Sequence, residues 1–339
     1  MKHINILNPL FQVRHLISIV PFEIKTLSYK RCIVSSNQGG LCNRLKCLIS
    51  CMRLADKVSG ATVLSWPEKP RCKCKFSDIF ENKIIEIGDK CLRIIRDERI
   101  NIHKKYILVD TWRLLTLPNE LPDNFAKAYH SSSGKGIDFE FERIPLPVRE
   151  DFLIYINRLI PNVYIRNEVE NFSKLFDDYT VSVCIRSWAD RQLIEEKSRA
   201  DSLFRIENVY AVIDKLDGLN FFVTCDSAEV LKKIIDRYGK RVLYYPRRDF
   251  QGDRYSKEAI RDALIELLLA SRNKNLKISY GSTFCEMVWW LGGCKAAVEI
   301  IDRESDIQNY LKKCDYRESL NLIPQQLIAF LNTADKKPA

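Results

Sequence analysis

No stretch of this 339-residue chain reaches the ~18 consecutive apolar residues that a membrane-spanning helix requires. The apolar-rich first 30 residues come nearest, but Arg14, His15, Glu23 and Lys25 leave only Leu16 to Phe22 uninterrupted. An export signal is therefore not expected. Packing on the protein itself is favoured over an amphipathic segment lying on a membrane. The expected location is cytoplasmic, peripheral to the inner face of the membrane if that segment does lie on lipid. The cysteines include no CxxC pair, and the CxC at Cys72 and Cys74 lacks a second half, which argues against zinc. Histidine is scarce. His3, His15, His103 and His130 fall in no HExxH-like pattern, so no metal ligand set is expected. GxSxG, the P-loop and GxGxxG are missing, which removes serine hydrolases and the two commonest nucleotide-binding loops. There is no internal repeat and no low-complexity tract.

What is present is ordinary globular composition, 46% hydrophobic and 29% charged. At 339 residues the chain suits two α/β domains better than one. The net charge of +10 is either a solvated basic surface or an attraction to anions such as a nucleotide diphosphate, an anionic glycan or a membrane face. Nucleic acid is not an expected partner, because the basic residues are scattered and carry no binding motif. The twelve cysteines include Cys184 and Cys225, which sit in apolar runs. They read as free buried thiols in a reducing compartment.

Residues 31–36 read as a strand, Asn37 to Gly40 as a turn, and Leu41 to Val58 as a helix from the spacing of Leu41, Leu45, Leu48, Ile49, Met52 and Ala55. Ala61 to Trp66 is the next strand, and a βαβ start implies a parallel sheet. Phe76 to Phe80 and Ile84 to Ile87 read as short elements, Tyr106 to Trp112 as a strand, and His130 to Gly136 as a flexible loop. Pro145 to Pro147 reads as linker ahead of a helix near 149–160. Strands at Thr180–Ile185, Asn220–Thr224, Arg241–Tyr245, Leu276–Ser279 and Ala296–Ile301 then alternate with helices at Ile206–Leu216, Ala228–Tyr238, Lys257–Ser271 and Thr283–Leu291. A polar loop is expected after the first of these strands, through about Ser202. The alternation predicts an α/β fold with doubly wound domains, divided as 1–160 and 161–330.

Open parallel sheets bind ligands beyond the carboxyl ends of their strands, and several polar residues fall there. Gly39-Gly40 lies at a strand–helix turn, where glycine lets backbone approach a ligand closely. Arg186 ends a strand and is either a forked phosphate donor or a surface arginine in a salt bridge. Asp226 suits ribose hydroxyls or a guanine edge, or else it or Ser227 caps the following helix. Ser282 and Thr283 are either an anion cradle or a simple N-cap. Their convergence on one rim favours a nucleotide-diphosphate site. Trp289 and Trp290 read as core rather than as a sugar-stacking platform.

The order of these segments resembles the superfamily of α1,2-, α1,6- and protein O-fucosyltransferases, including the rhizobial nodulation branch and its bacterial relatives. Gly39-Gly40-Leu41-Cys42-Asn43-Arg44-Leu45 looks like that family's GGxGNRL, and Val181 to Arg186 like its HxR strand. Phe222 to Ser227 is similar to FxATDD, Arg254-Tyr255-Ser256 with Ala263 to Ser271 to its RxS…DLLxLS region, and Ser282-Thr283-Phe284 to its STF turn. The resemblance covers about 32–80 and 178–301.

It implies a GT-B fold, two Rossmann-like domains facing across a cleft, with GDP-fucose as donor, a glycan hydroxyl as acceptor, inversion at the sugar carbon and no metal or other cofactor. On the resemblance, Arg186 would hold the departing diphosphate and Glu195 would be the base, with Glu196 and Asp190 as rivals. The donor set would comprise Gly40, Asn43, Cys184, Arg186, Asp226, Arg254, Glu266, Ser282, Thr283 and Phe284, with Asp226 and Glu266 at the guanosine. Three positions depart from the family pattern. Cys184 replaces its histidine, Cys42 a glycine, and Ser187 an arginine. They motivate an alternative, a non-catalytic glycan- or nucleotide-binding protein on the same fold.

Overall fold

The computed structural model describes residues 25–26, 28–96, 105–112, 114–115, 144, 146–189, 194–247, 253–303, 305–307 and 309, the Glu195 side chain excepted. The first sheet comprises β1 (Cys32–Ser35), β2 (Ala61–Leu64), β3 (Ile85–Glu86) and β4 (Tyr106–Val109), in the order β3-β2-β1-β4, all parallel. Helix α1 (Leu41–Lys57) connects β1 to β2, and α2 (Asp89–Arg96) follows β3. Next come α3 (Leu146–Ile156) and α4 (Val163–Ser173).

The second sheet holds β5 (Val181–Ile185), β6 (Phe221–Cys225), β7 (Val242–Leu243), β8 (Asn275–Ile278) and β9 (Ala297–Ile300), ordered β7-β6-β5-β8-β9 and again all parallel. Its helices are α5 (Ile194–Ser202), α6 (Ile206–Ile213), α7 (Ala228–Tyr238), α8 (Lys257–Ala270) and α9 (Thr283–Leu291). The expected α/β architecture with two doubly wound sheets is what the chain adopts.

Three expectations change. Pro147 is not linker but sits in the first turn of α3, where a missing N–H costs nothing. The polar stretch before Ser202 is helical as α5; with Glu195, Glu196, Lys197 and Arg199 on it, no apolar stripe marked it in sequence. Helix α4 was not foreseen, although Asn162 caps it by accepting from the Ile165 amide at 3.0 Å and Ile165 and Val169 bury one face. The loop expected at His130–Gly136 lies outside the described residues.

The strand orders place the site. Each sheet has a switch point, between β1 and β4 in the first and between β5 and β8 in the second, where the chain leaves one side and resumes on the other. A crevice opens beyond the carboxyl ends of strands at such a point. One continuous core ties the two sheets together through α1, α3, α8 and α9. Trp289 and Trp290 are buried within it, as core residues. Inside this packing Lys46 of α1 and Glu286 of α9 form an ion pair at 2.5 Å, both side chains almost fully buried. The eleven described cysteines are all buried free thiols.

Candidate active site

A cleft of about 430 Å³ lies between the two switch points, within the usual range for a small-ligand site. From the first sheet it receives Gly40, Cys42 and Asn43 at the start of α1, with Arg71 and Trp112. The second sheet contributes the ends of β5 and β6, parts of α5 and α8, and the turn from Tyr280 into α9.

The α1 side begins with a constrained turn. The Gly39 amide donates to Asn37 Oδ1 at 2.9 Å, and Asn37 Nδ2 donates to Asp110 Oδ1 at 2.9 Å, tying the ends of β1 and β4. A Cβ on Gly39 would meet Asn43 Nδ2 at 2.9 Å, so a larger residue there would push the Asn43 side chain from its place. Arg44 braces the turn from below. Its Nε donates to the Gly39 carbonyl and its Nη1 to the Pro67 carbonyl, both at 2.8 Å. Gly40 caps α1 without a side-chain bond, so the first-turn amides keep their donors uncapped where residues 40–43 line the cleft. Asn43 brings a buried Oδ1 that accepts no hydrogen bond.

Opposite stands the turn into α9. Gly281 has φ +70°, a conformation that suits glycine. Ser282 caps α9, its Oγ accepting from the Cys285 amide at 3.4 Å. That bond uses a lone pair and not the O–H, so cap and cradle are compatible. Thr283 and Phe284 line the cleft beside it. The positive ends of two helices, α1 and α9, therefore meet at one cavity.

Arg186 stands between them. Its Nη1 donates to Asp226 Oδ2 at 2.6 Å and its Nη2 to Glu196 Oε1 at 2.8 Å. Its guanidinium lies 4.7 Å from the Trp188 ring, and Arg199 lies 4.8 Å from the same ring. Trp188 is buried at φ +53°, an uncommon backbone state for so large a residue. Asp226 also accepts from the Ser187 amide and hydroxyl, both at 2.7 Å, and from the Ala189 amide at 3.3 Å. These bonds tie Asp226 to the 186–189 turn at the edge of the cleft, and Ser227, not Asp226, caps α7. Burial opposes the Asp226 charge, but Arg186 and the Ser187 bonds hold the carboxyl below its ordinary range. Burial likewise works against the Arg186 charge, and Asp226 and Glu196 outweigh it, pushing the guanidinium up.

The remaining sequence-predicted residues divide. Arg254 lines the cleft, donates to Glu196 Oε1 at 3.1 Å, and has a buried Nη1 with no acceptor. Glu266 is buried on α8 and accepts from Arg247 at 3.3 Å. Cys184 does not line the cleft: it is fully buried one step back along β5, in the core under α9. Burial pushes its thiol well up, so neither a donor contact nor a reactive thiolate is available there. Cys42 does line the cleft, but burial raises its thiol too. The Glu195 side chain and Asp190 lie outside the described residues.

Sequence reasoning missed Arg71, Trp112, Trp188, Arg199 and Arg247, and offered Glu196 only as a rival base. Arg247 and Trp112 follow β7 and β4, so the strand-end rule could have found them. Glu196 and Arg199 sit three apart on α5, a spacing that has meaning only once that segment is known to be helical.

No protein-family model matches the sequence, and no curated protein matches it. Solved structures do resemble it. A NodZ α-1,6-fucosyltransferase co-crystallised with GDP superposes with TM-score 0.51 at 16% identity, over 77% of this chain and 92% of its own. The fucosyltransferase NodZ from Bradyrhizobium gives TM-score 0.51 at 16% identity, over 77% and 93%. NodZ soaked with GDP-fucose gives 0.50 at 15%, over 77% and 92%. The chain has the GT-B fold of these fucosyltransferases. On that fold both switch points open to the cleft between the lobes.

One buried group beside the cleft makes the fold sensitive to pH. Asp302 accepts from the Tyr280 amide at 2.5 Å, behind the turn into α9. Burial pushes its carboxyl up to about 7, with the Tyr280 amide opposing and Asp306 adding to the rise. A folded value above the unfolded one, near 4, means the folded state holds the extra proton. This group's contribution is therefore present at low pH and is lost as pH climbs from about 4 to about 7. Asp302→Asn keeps the acceptor and removes the titration. Its melting temperature relative to the parent should rise between pH 5 and pH 8, as followed by thermal melts across that range. A constant difference would show that Asp302 ionises freely.

Proposed function

We propose that this protein is a glycosyltransferase that moves fucose from GDP-fucose to a glycan hydroxyl, with inversion and without a metal. The observation that carries this reading is the arrangement around Arg186. A guanidinium locked by Asp226 and stacked on Trp188 faces the Ser282–Thr283 helix start across a cavity of nucleotide size. Two unmet polar atoms point the same way: Arg254 Nη1 requires an acceptor such as a phosphate oxygen, and Asn43 Oδ1 a donor such as a sugar hydroxyl. The binding of GDP by NodZ supports GDP as the nucleotide, at the level of a shared fold.

In the mechanism, negative charge grows on the diphosphate as the glycosidic C–O bond breaks. Donors already aimed at that position stabilise it with little reorganisation. Arg186, Arg254, the Ser282 hydroxyl and the α9 amides form that set, and they supply the positive charge that a metal ion gives in other transferases. Asp226 acts through Arg186 and orients it. Glu266 and Arg247 line the floor near the end of β6 and are assigned to the nucleoside. Phe284 and Thr283 flank the phosphates, while Gly40 leaves room for backbone approach. Inversion requires a base on the acceptor side. Glu196 Oε1 is engaged by two arginines, so Glu195, its neighbour on α5, is the proposed base. The acceptor enters along the wall carrying Arg71 and Trp112.

The alternative, a binding protein without turnover, draws on Cys184, Cys42 and Ser187. Ser187 is integrated into the site, since both its donors hold Asp226, and Cys184 only fills core. The working arrangement thus accommodates the departures, which favours the enzyme. A thermal-shift panel of GDP, GDP-fucose, GDP-mannose, UDP and UDP-sugars tests the donor. A nucleotide at 100 times its Kd should stabilise the fold by about 2.7 kcal/mol. Stabilisation by GDP and GDP-fucose, with release of GDP from the latter, is expected; stabilisation by uridine nucleotides alone would reject the assignment.

A further inference from the structure

Two carboxylates hold Arg186, and they are not equivalent. Asp226 is part of the turn it serves: besides Arg186 Nη1 it accepts from the Ser187 amide, the Ser187 hydroxyl and the Ala189 amide. Removing it would dismantle the 186–189 backbone. Glu196 reaches in from another element, α5, and joins two guanidiniums through one atom. Its Oε1 accepts from Arg186 Nη2 at 2.8 Å and from Arg254 Nη2 at 3.1 Å. Both arginines are otherwise settled, Arg186 over Trp188 and Arg254 with its carbon 4.7 Å from the Tyr255 ring. Arg254 Nη1 remains buried without an acceptor, so the carboxylate satisfies that fork only in part.

A single anionic oxygen between two guanidinium forks is the arrangement a bridging phosphate oxygen makes. The charges agree with this comparison. Arg186 and Arg254 against Asp226 and Glu196 sum to zero, so within this group of four Glu196 cancels the charge that Asp226 leaves uncompensated, while Arg71, Arg199 and Arg247 keep the rest of the cleft attractive to anions. A phosphate group, with three oxygens, would meet Arg186 Nη2 and both ends of the Arg254 fork, which a carboxylate oxygen does not.

We infer that Glu196 is an internal anion that occupies the position of a phosphate oxygen between Arg186 and Arg254, and that a diphosphate ligand binds by exchanging with it. The inference rests on the reading of the cleft as a nucleotide-diphosphate site. Glu196 is then a positioning residue. It keeps two like charges together and aimed before the ligand arrives, and it sets a threshold that an anion must exceed to enter. A ligand bearing one weak anionic contact does not displace it; one that engages both arginines does.

The test is a binding cycle with GDP and inorganic pyrophosphate on the full chain, by titration calorimetry. Glu196→Gln is expected to tighten both ligands about tenfold, since the competing charge is gone. Glu196→Asp keeps the charge but shortens the reach, and is expected to tighten them by several-fold. In an Arg254→Met background the Glu196→Gln gain should fall below about threefold, because the shared guanidinium is missing. A gain of equal size in that background would mean only that a nearby negative charge was removed, and would overturn the inference. So would unchanged or weaker binding in Glu196→Gln when the parent binds GDP and the variant melts like the parent. Failure of the parent to bind either ligand would sink the diphosphate reading itself and this step with it.

Discussion

Arg186→Lys is expected to slow turnover of GDP-fucose by about 10²–10³-fold, the loss typical of removing one donor from a preorganised anion site. Lysine keeps the charge but not the fork. One ammonium cannot hold Asp226 through one nitrogen and present another to a departing phosphate, and it stacks on Trp188 less well than a planar guanidinium. The measurement needs no knowledge of the natural acceptor: slow hydrolysis, in which water takes the acceptor's place, releases GDP that can be followed in single-turnover experiments. The fold should persist, because Asp226 keeps its three donors from Ser187 and Ala189. Binding of GDP should weaken less than turnover, since charge on the diphosphate is greater in the transition state than in the ground state. A variant within tenfold of the parent would remove Arg186 from the mechanism.

The second large effect concerns the frame that holds the site. Lys46→Met leaves Glu286 in the core without its partner at 2.5 Å, and destabilisation of about 3–5 kcal/mol is expected from breaking a buried pair on one side. Replacing both groups, Lys46→Met with Glu286→Leu, should recover most of that loss, because the desolvation cost of two buried charges goes with them. Urea denaturation of the parent, the single variant and the double variant reads both effects. Equal losses in the single and double variants would show that the pair itself contributes stability. α1 and α9 carry the two helix starts that meet at the cleft, so the single variant should also weaken GDP binding.

Much of the second sheet was legible because its strands are short apolar runs closed by polar turns. Phe221 to Cys225 and Val181 to Ile185 are buried along their whole length, and such runs stand out in sequence. The first sheet was harder to read. β3 has two residues and neither is fully buried, and α2 and α4 bury only a few side chains each. Arg186, Asp226 and Ser282 stand at strand ends, where the carboxyl-end rule for parallel sheets makes them legible in the sequence. The same rule did not reveal that Asp226 holds the 186–189 turn, because a carboxylate at a strand end does not announce whether its acceptors face a substrate or the next turn of its own chain. Cys184 misled for a related reason. It shares a face with Arg186, which follows β5 directly, but lying two residues earlier places it in the core under α9 instead of in the cleft.

Local pattern determined the parallel sheets, the glycine turn before α1, the cap of α9 and the presence of an arginine at the end of β5. These depend on neighbours in the chain, and the chain's own periodicity and turn chemistry suffice for them. Tertiary structure alone decided that Arg186 and Arg254, 68 positions apart, share one glutamate, and that Lys46 and Glu286 meet inside the core, 240 positions apart. Charges that must be paired because they are buried find their partners through packing in three dimensions, and no local pattern of residues reveals which pairs will meet.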